Sequence, residues 1–340
     1  MRVSRGVNMS VLAPSIGIWW RIIESYGLDP DPYFRAEGLD VVWPIEPGTR
    51  VAYDAIDRAR AHAARDTGDP DFGLRTAALV HPSHIGALGY AVLASSSLLN
   101  SFQRMHRFIR VVNDDSHFDI EDRGNTFVVS LSVNKPSANA RVRDDGMMAY
   151  AVALSRLNAG PETNPSHVSF SLDRPADIQA YDALFRCPVH FGSEHNEIGF
   201  SKKDAERQLP SANPVLAQMH DRIVIRRLAS LDRDNIPNRA RAAIMAQLPS
   251  GHISDETVAS ALNMTSRTLN RKLKVEGLSF RSILQDVRQD LARQYIEDAS
   301  LTLTEITFLL GFSEMSSFSR AFKNWTGQSP SAARAADDEG

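Results

Sequence analysis

The feature that most constrains this chain is an internal repeat near its C-terminal end. EITFLLGFSEMSSFSRAFKNWTG lays over TVASALNMTSRTLNRKLKVEG. Val258 aligns with Ile306, Ala259 with Thr307, Leu262 with Leu310 and Met264 with Phe312. After a one-residue insertion, Leu269 aligns with Phe318, Arg271 with Arg320, Leu273 with Phe322 and Lys274 with Lys323. Gly277 and Gly327 close the copies, so the offset grows from 48 to 50. The spacing in each copy is that of two short helices joined by a sharp turn. The first helix turns Val258/Ala259/Leu262, or Ile306/Thr307/Leu310, inward. The turn is NMT in one copy and GFS in the other, with Gly311 suited to a left-handed backbone. Thr265 and Ser313 are the expected N-caps of the second helix. That helix buries Leu269/Leu273 or Phe318/Phe322, an i, i+4 pair.

The polar residues between these apolar anchors face outward. In the first copy they are Ser266, Arg267, Asn270, Arg271 and Lys274; in the second, Met315, Ser316, Ser319, Arg320 and Lys323. From Thr265 to Val275 there are four cations and no acid. An arginine fork matches guanine, an asparagine pairs with adenine, and serine or lysine holds phosphate. Residues nearest the helix N-terminus reach base edges. Between the copies, Phe280 to Glu297 reads as one long helix, with Ile283/Leu284, Val287, Leu291 and Tyr295 on one face. At ~1.5 Å per residue it spans roughly 27 Å. With the width of its flanking units it can hold two reading helices about 34 Å apart, one turn of DNA. Residues 238–336 carry 12 Lys/Arg against 9 Asp/Glu, a net of +3, whereas the whole chain is at −3. Salt-sensitive binding of double-stranded DNA by this segment alone is the expectation.

Upstream the pattern differs. Val51 to Arg65 reads as a helix that GDPDFG ends, and Leu98 to Val112 as another. In Thr126–Val133 the period becomes two: Phe127, Val129, Leu131 and Val133 alternate with polar residues, as in a half-buried strand. His117–Ile120, across RGN, completes a hairpin. Met147 to Leu157 reads as helix, Val168/Phe170/Leu172 as a strand, and Val189–Phe191 and Ile198–Phe200 as short strands. Asn213 to Leu231 is helical, with Leu216, Met219, Ile223, Val224 and Leu228 on a broad apolar face that suits dimerisation or packing between domains. DRDNIPN then marks a boundary, and DDEG a frayed tail. The expected organisation is a mixed α+β domain over 1–210, a linker helix and boundary over 211–237, an all-α domain over 238–334 with two helix-turn-helix units joined by a long helix, and a tail over 335–340.

EITFLLGFSEMSSFSRAFKNWTGQSPSAAR resembles the signature of the AraC/XylS family of bacterial transcription regulators, and MTSRTLNRKLKVEGLSFRSILQDVRQDLARQYIED resembles the other half of that domain. By this resemblance Arg267, Asn270 and Arg271 fall where the first reading helix contacts bases, and Met315, Ser316, Ser319 and Arg320 where the second does. Thr307 departs from the family's usual alanine and implies slightly strained helix packing. HPSHIGALGYAVLASSSLLNSF and YDALFRCPVHFGSEHNEIGFS are similar to the arabinose-binding-type domain of such regulators, over about residues 20–210. That resemblance implies a small-molecule effector or self-association as a homodimer, and contact with RNA polymerase if the protein activates.

Other chemistry finds little support. His81, His84, His106 and His117 lack the spacing of a metal box. There is no glycine-rich phosphate loop and no nucleophile elbow around SEH at 193–195. No metal, no cofactor and no enzymatic activity are expected; an enzyme with an accessory DNA-binding tail is the remote alternative. Trp19, beside Trp20, together with His84, Tyr90 and Arg110 are the candidate linings of an effector pocket. The single cysteine, Cys187, cannot form an internal disulfide, and MRVSRGVNMSVLAPSIG lacks the apolar core of a leader, so a reducing cytoplasm is the expected compartment. The most apolar window, Ile85 to Leu99, is too short to span a bilayer.

Overall fold

A computed structural model of the chain describes residues 9–46, 48–231, 236–296 and 301–338. They form two compact units that divide between His220 and Asp221.

The N-terminal unit begins with β1 (Ser10–Leu12), α1 (Ile16–Ser25), α2 (Asp31–Arg35), β2 (Arg50–Ala52) and α3 (Tyr53–Thr67). Strands β1 and β2 pair antiparallel. Helix α3 ends where Gly68 turns left-handed at φ 63°. Then come α4 (Ala87–Leu93), α5 (Leu98–Phe108), β3 (Ser116–Asp122), β4 (Thr126–Val133), α6 (Ala140–Ala159), β5 (His167–Ser169), α7 (Gln179–Phe185), β6 (Val189–His190), β7 (Asn196–Ser201) and α8 (Lys202–Glu206). The main sheet has the order β3-β4-β7-β5-β6; all neighbours are antiparallel except β5 and β6. The β3/β4 hairpin turns at Gly124, φ 77°, and sets Phe118 opposite Leu131 and Ile120 opposite Val129. Period-two alternation thus delivers one apolar face, against which α5 and α6 pack Phe102, Met148 and Val152.

Helix α6 and the strand expected at Val168/Phe170/Leu172 differ from the sequence expectation, and so do the segments 236–238 and 335–338, which are helical as parts of helices over Ile236–Gln247 and Pro330–Asp338. Helix α6 begins seven residues before Met147, capped by Asn139, whose side chain accepts the Val142 N–H at 3.2 Å. Its first turns, ARVRDDG, look like loop because they are charged, yet Asp144 and Asp145 are buried. The strand expected through Leu172 stops at Ser169, and Phe170 is buried in an aromatic cluster with Tyr181 and Phe185.

Helix α9 (Pro214–Leu231) runs across the division between the units. Val215, Leu216, Met219 and Ile223 are exposed on it, and Val224 is buried. Of the boundary expected at 232–238, residues 232–235 lie outside the described residues, as do the last two of the expected tail.

The C-terminal unit is all helix: α10 (Ile236–Gln247), α11 (Asp255–Ala261), α12 (Ser266–Val275), α13 (Phe280–Ile296), α14 (Leu303–Leu309), α15 (Met315–Thr326) and α16 (Pro330–Asp338). One core joins them, with Val258, Leu269, Leu273, Ile306, Phe318 and Phe322 at its centre. Among the described residues no helix is long and apolar enough to cross a membrane.

Candidate nucleic-acid interface and a buried cavity

Helices α11/α12 and α14/α15 are two helix-turn-helix units built alike. Ser254 caps α11 in a reciprocal box with Thr257, and Thr302 caps α14 in the same way with Glu305. Both turns pass through a left-handed residue, Asn263 at φ 56° and Gly311 at φ 68°. Thr265 caps α12, accepting the Thr268 N–H at 3.2 Å. Ser313 does not play that part in the second copy. The cap position is Glu314, whose side chain makes no cap bond, because the inserted residue lies in this turn and moves the helix start by one. Buried Thr307 carries the hydroxyl that alanine would lack. It donates to the Leu303 carbonyl at 2.8 Å, so the extra polar atom is satisfied within its own helix.

An arginine from the preceding helix reaches each turn. Arg239 of α10 lies 3.4 Å from the Leu262 carbonyl. Arg288 of α13 donates to Leu310 and Gly311 carbonyls, both at 2.9 Å, and stacks over Phe312 at 4.4 Å. Burial holds the Arg288 guanidinium below its ordinary range. The sequence reading missed this clamp, because an arginine among Ile283, Val287 and Leu291 looks like an interruption of an apolar face.

On α12, Arg267, Asn270, Arg271 and Lys274 are exposed at i, i+3, i+4 and i+7, opposite Leu269 and Leu273. On α15, Ser316, Ser319, Arg320 and Lys323 repeat that spacing opposite Phe318 and Phe322; Ser319 is half-buried and the others exposed. Ser266 and Met315 open the two helices, both half-buried. Met315, expected to face outward, packs against the core, its sulfur 3.3 Å from the Thr307 hydroxyl. At the first turn a long side chain reaches back onto the preceding helix. Each stripe also meets one carboxylate. Asn270 donates to Asp255 at 2.6 Å, and Arg320 lies 4.0 Å from Glu314. Hydrogen bonds from Ser316 and Ser317 hold the Glu314 carboxyl below its ordinary value. Phe308 of α14 is 56% exposed and lies outside the core.

The N-terminal unit holds a half-open cavity of about 210 Å³ between its sheet and helices α1, α3, α5 and α6. Trp19 and His84 line it; Tyr90 and Arg110 do not. Tyr90 stacks instead on His220 at 5.4 Å, and Arg110 is exposed just beyond α5. The wall is mostly apolar, with Arg60, Thr76, Arg143 and Asn158 as polar members that the sequence reading did not single out. Their signal is faint, since each comes to the wall through long-range packing. Arg60 forms a buried ion pair with Asp57 and lies over Trp19 at 5.2 Å. Burial pushes the Asp57 carboxyl up, but Arg60 and hydrogen bonds from Ser137 and Ala138 outweigh it and hold it low. Arg143 pairs with Asp144 at 2.6 Å. His84 accepts the His81 N–H through Nδ1 at 3.2 Å. Burial, then the charges of His81 and Arg21, bring its pKa down to about 4, so its ring is neutral near pH 7.

Comparison with known proteins fits both halves. Residues 27–209 match the family described as the arabinose-binding domain of AraC transcription regulators, and residues 258–336 match a helix-turn-helix domain. The chain is 28% identical over 317 residues to the ornithine utilization regulator of Pseudomonas aeruginosa, covering 93% of each. It is 25% identical over 336 residues to the regulator VirS of Mycobacterium tuberculosis, covering 92% of this chain and 93% of that one. It is 32% identical over 120 residues to the urease operon transcriptional activator of Escherichia coli, covering 35% of this chain and 40% of that one. The chain therefore belongs to the AraC-type transcription regulators, DNA-binding proteins rather than enzymes.

Proposed function

We propose that this regulator activates transcription when a small molecule occupies the cavity of its N-terminal unit. The segment 1–210 senses the effector, 211–237 joins it to the reader, 238–334 reads DNA, and 335–340 is a tail whose residues 335–338 close α16. Helices α12 and α15 enter successive major grooves. Arg267, Asn270, Arg271, Ser316, Ser319 and Arg320 meet base edges, while Ser266, Lys274 and Lys323 hold phosphates and Met315 only borders the face. Asn270 exchanges Asp255 for a base on binding. RNA polymerase is the partner in activation, and the cytoplasm is the compartment. The name of the urease operon relative supports the activating sign.

The observation that carries the DNA-reading part is the matched polar stripe on two like-built units, with Arg271 and Arg320 exposed at equivalent places. Sites selected from a random DNA pool supply the ligand for the test. Arg271→Ala or Arg320→Ala lowers specific affinity by about 1–3 kcal/mol with the fold intact. Unchanged binding in both variants refutes the assigned faces.

Exposed Val215, Leu216 and Met219 on α9 favour a second reading, a constitutive dimer whose N-terminal unit only self-associates. Sedimentation of the full chain, combined with a test of whether any effector changes reporter output, separates the two.

A further inference from the structure

We infer that the cavity takes an elongated, uncharged, mainly hydrocarbon molecule with a hydrogen-bonding head, and not a sugar or an amino acid. The inference rests on the sensing role proposed above and names the class of molecule sensed.

Shape is the first argument. Gly146 and Asn158 both line the cavity on α6. Twelve residues of helix separate them, about 18 Å at 1.5 Å each. At the Gly146 end stand Trp19 and Thr76; a Cβ on Gly146 would come within 2.7 Å of the Trp19 ring and 3.3 Å of the Thr76 hydroxyl. Arg60 lies over the same Trp19 ring. At the far end Asn158 donates to Ser101 at 2.8 Å and to the Val92 carbonyl at 3.1 Å. Between the ends the wall is largely apolar, with Met147 and Leu154 of α6, Phe102 of α5 and Leu131 of β4, and with Tyr150 and Ser155 of α6 as its polar members. An engineered cavity of about 150 Å³ in another protein holds benzene. This one is larger and drawn out along a helix.

Charge is the second. Each guanidinium on the wall already has a carboxylate behind it, Asp57 for Arg60 and Asp144 for Arg143. A ligand with net charge would leave that charge unmatched against a mostly apolar wall, where burying it is costly.

Polar supply is the third. Among the wall residues, Arg60 Nε, the Thr76 hydroxyl and Asn158 Oδ1 are buried without a partner. Two of these sit at one end and one at the other. A head group that accepts from Arg60 and exchanges a hydrogen bond with Thr76 is served; a ring of hydroxyls in mid-cavity meets Tyr150 and Ser155, whose hydroxyls already donate to the His81 and Ala151 carbonyls, and each buried hydroxyl left unpaired opposes binding. The same count opposes ornithine, with its several charged groups.

The test titrates the full-length protein with four probes: decan-1-ol, decanoate, L-arabinose and L-ornithine. Calorimetry gives affinity, and thermal melting reports the mass-action rise in Tm. The expected result is that decan-1-ol binds at least about tenfold more tightly than any other probe, a gap of about 1.4 kcal/mol. Ala151→Trp, which fills the cavity midway, abolishes that binding. Met105→Trp serves as the block if Ala151→Trp does not fold. Decanoate, arabinose or ornithine binding more tightly than decan-1-ol, and lost in the tryptophan variant, overturns the ligand class but preserves sensing. Absence of decan-1-ol binding overturns the class whatever else binds. The sensing role itself falls if a folded tryptophan variant leaves reporter activation from the selected DNA site unchanged in cells.

Discussion

Replacing Gly311 by alanine should unfold the second reading unit far more readily than replacing Asn263 by alanine in the first. The two residues occupy equivalent turns, and both are left-handed. An L-residue there costs roughly 1–2 kcal/mol against glycine, and a stiffer unfolded chain returns about 0.4–1 kcal/mol. Space then separates them. A Cβ on Gly311 would sit 2.7 Å from the Leu248 carbonyl oxygen, a backbone atom that cannot swing aside, and 3.5 Å from Arg288 Nη2. Overpacking of that kind costs about 1–3 kcal/mol, so Gly311→Ala should lose about 2–4 kcal/mol. Asn263 already carries its Cβ, so Asn263→Ala forfeits only the special tolerance of asparagine for this backbone, about 1 kcal/mol or less. Hydrogen exchange of the full-length protein, followed by mass spectrometry on peptides from α12 and α15, gives the opening free energy of each unit. Equal losses for the two substitutions, or no loss in α15 for Gly311→Ala, would refute the crowding argument.

Three further outcomes are expected. Asp145 is fully buried, with Tyr181 donating to it at 2.8 Å; burial, opposed by that bond and by Arg141, raises its pKa to about 7. The folded carboxyl keeps its proton where the unfolded one releases it, so the contribution of Asp145 to N-terminal stability is greatest below about pH 4 and falls by up to about 4 kcal/mol as the pH rises to about 7. Urea unfolding of Asp145→Asn across that range should lack this fall; a parallel profile contradicts it. Cys187 has its thiol pushed up to about 11 by burial, opposed by Arg156, so native alkylation at pH 8 should run about 100-fold slower than in the unfolded chain. Phe318→Ala should cost about 3–5 kcal/mol in the reading unit, and Phe308→Ala under about 0.5 kcal/mol; comparable losses would mean the burial of these two rings is misassigned.

Legibility followed the range of the interaction. The helix-turn-helix core is readable because Leu269/Leu273 and Phe318/Phe322 are local pairs opposite a polar stripe of the same period. The β3/β4 hairpin is readable because Phe127, Val129 and Leu131 alternate. What failed turned on single-residue placement or distant contact. Putting the insertion after Ser313 instead of before the cap predicts the wrong cap residue. The bond from Asn270 to Asp255 crosses fifteen positions and an intervening turn. The cavity is assembled from β4, α3, α5 and α6, so nothing in the local text around Tyr90 or Arg110 tells that they stay outside while Arg60 and Asn158 come in.

The two arginines at the turns change what the repeat is. Leu262 and Leu310 are aligned positions, and each presents its carbonyl at the C-terminal end of a short first helix, where intrahelical partners run out. Arg239 approaches one and Arg288 binds the other, each from the helix that precedes its copy. The unit that is repeated is therefore three helices long, α10–α11–α12 and α13–α14–α15. On this view α13 is more than a spacer between two readers. It is the first helix of the second reader, and its Arg288 fixes the backbone of the turn from which α15 departs. A substitution on α13 at Arg288 can then change the direction of α15 without touching its polar face, and on the proposed reading this alters DNA recognition.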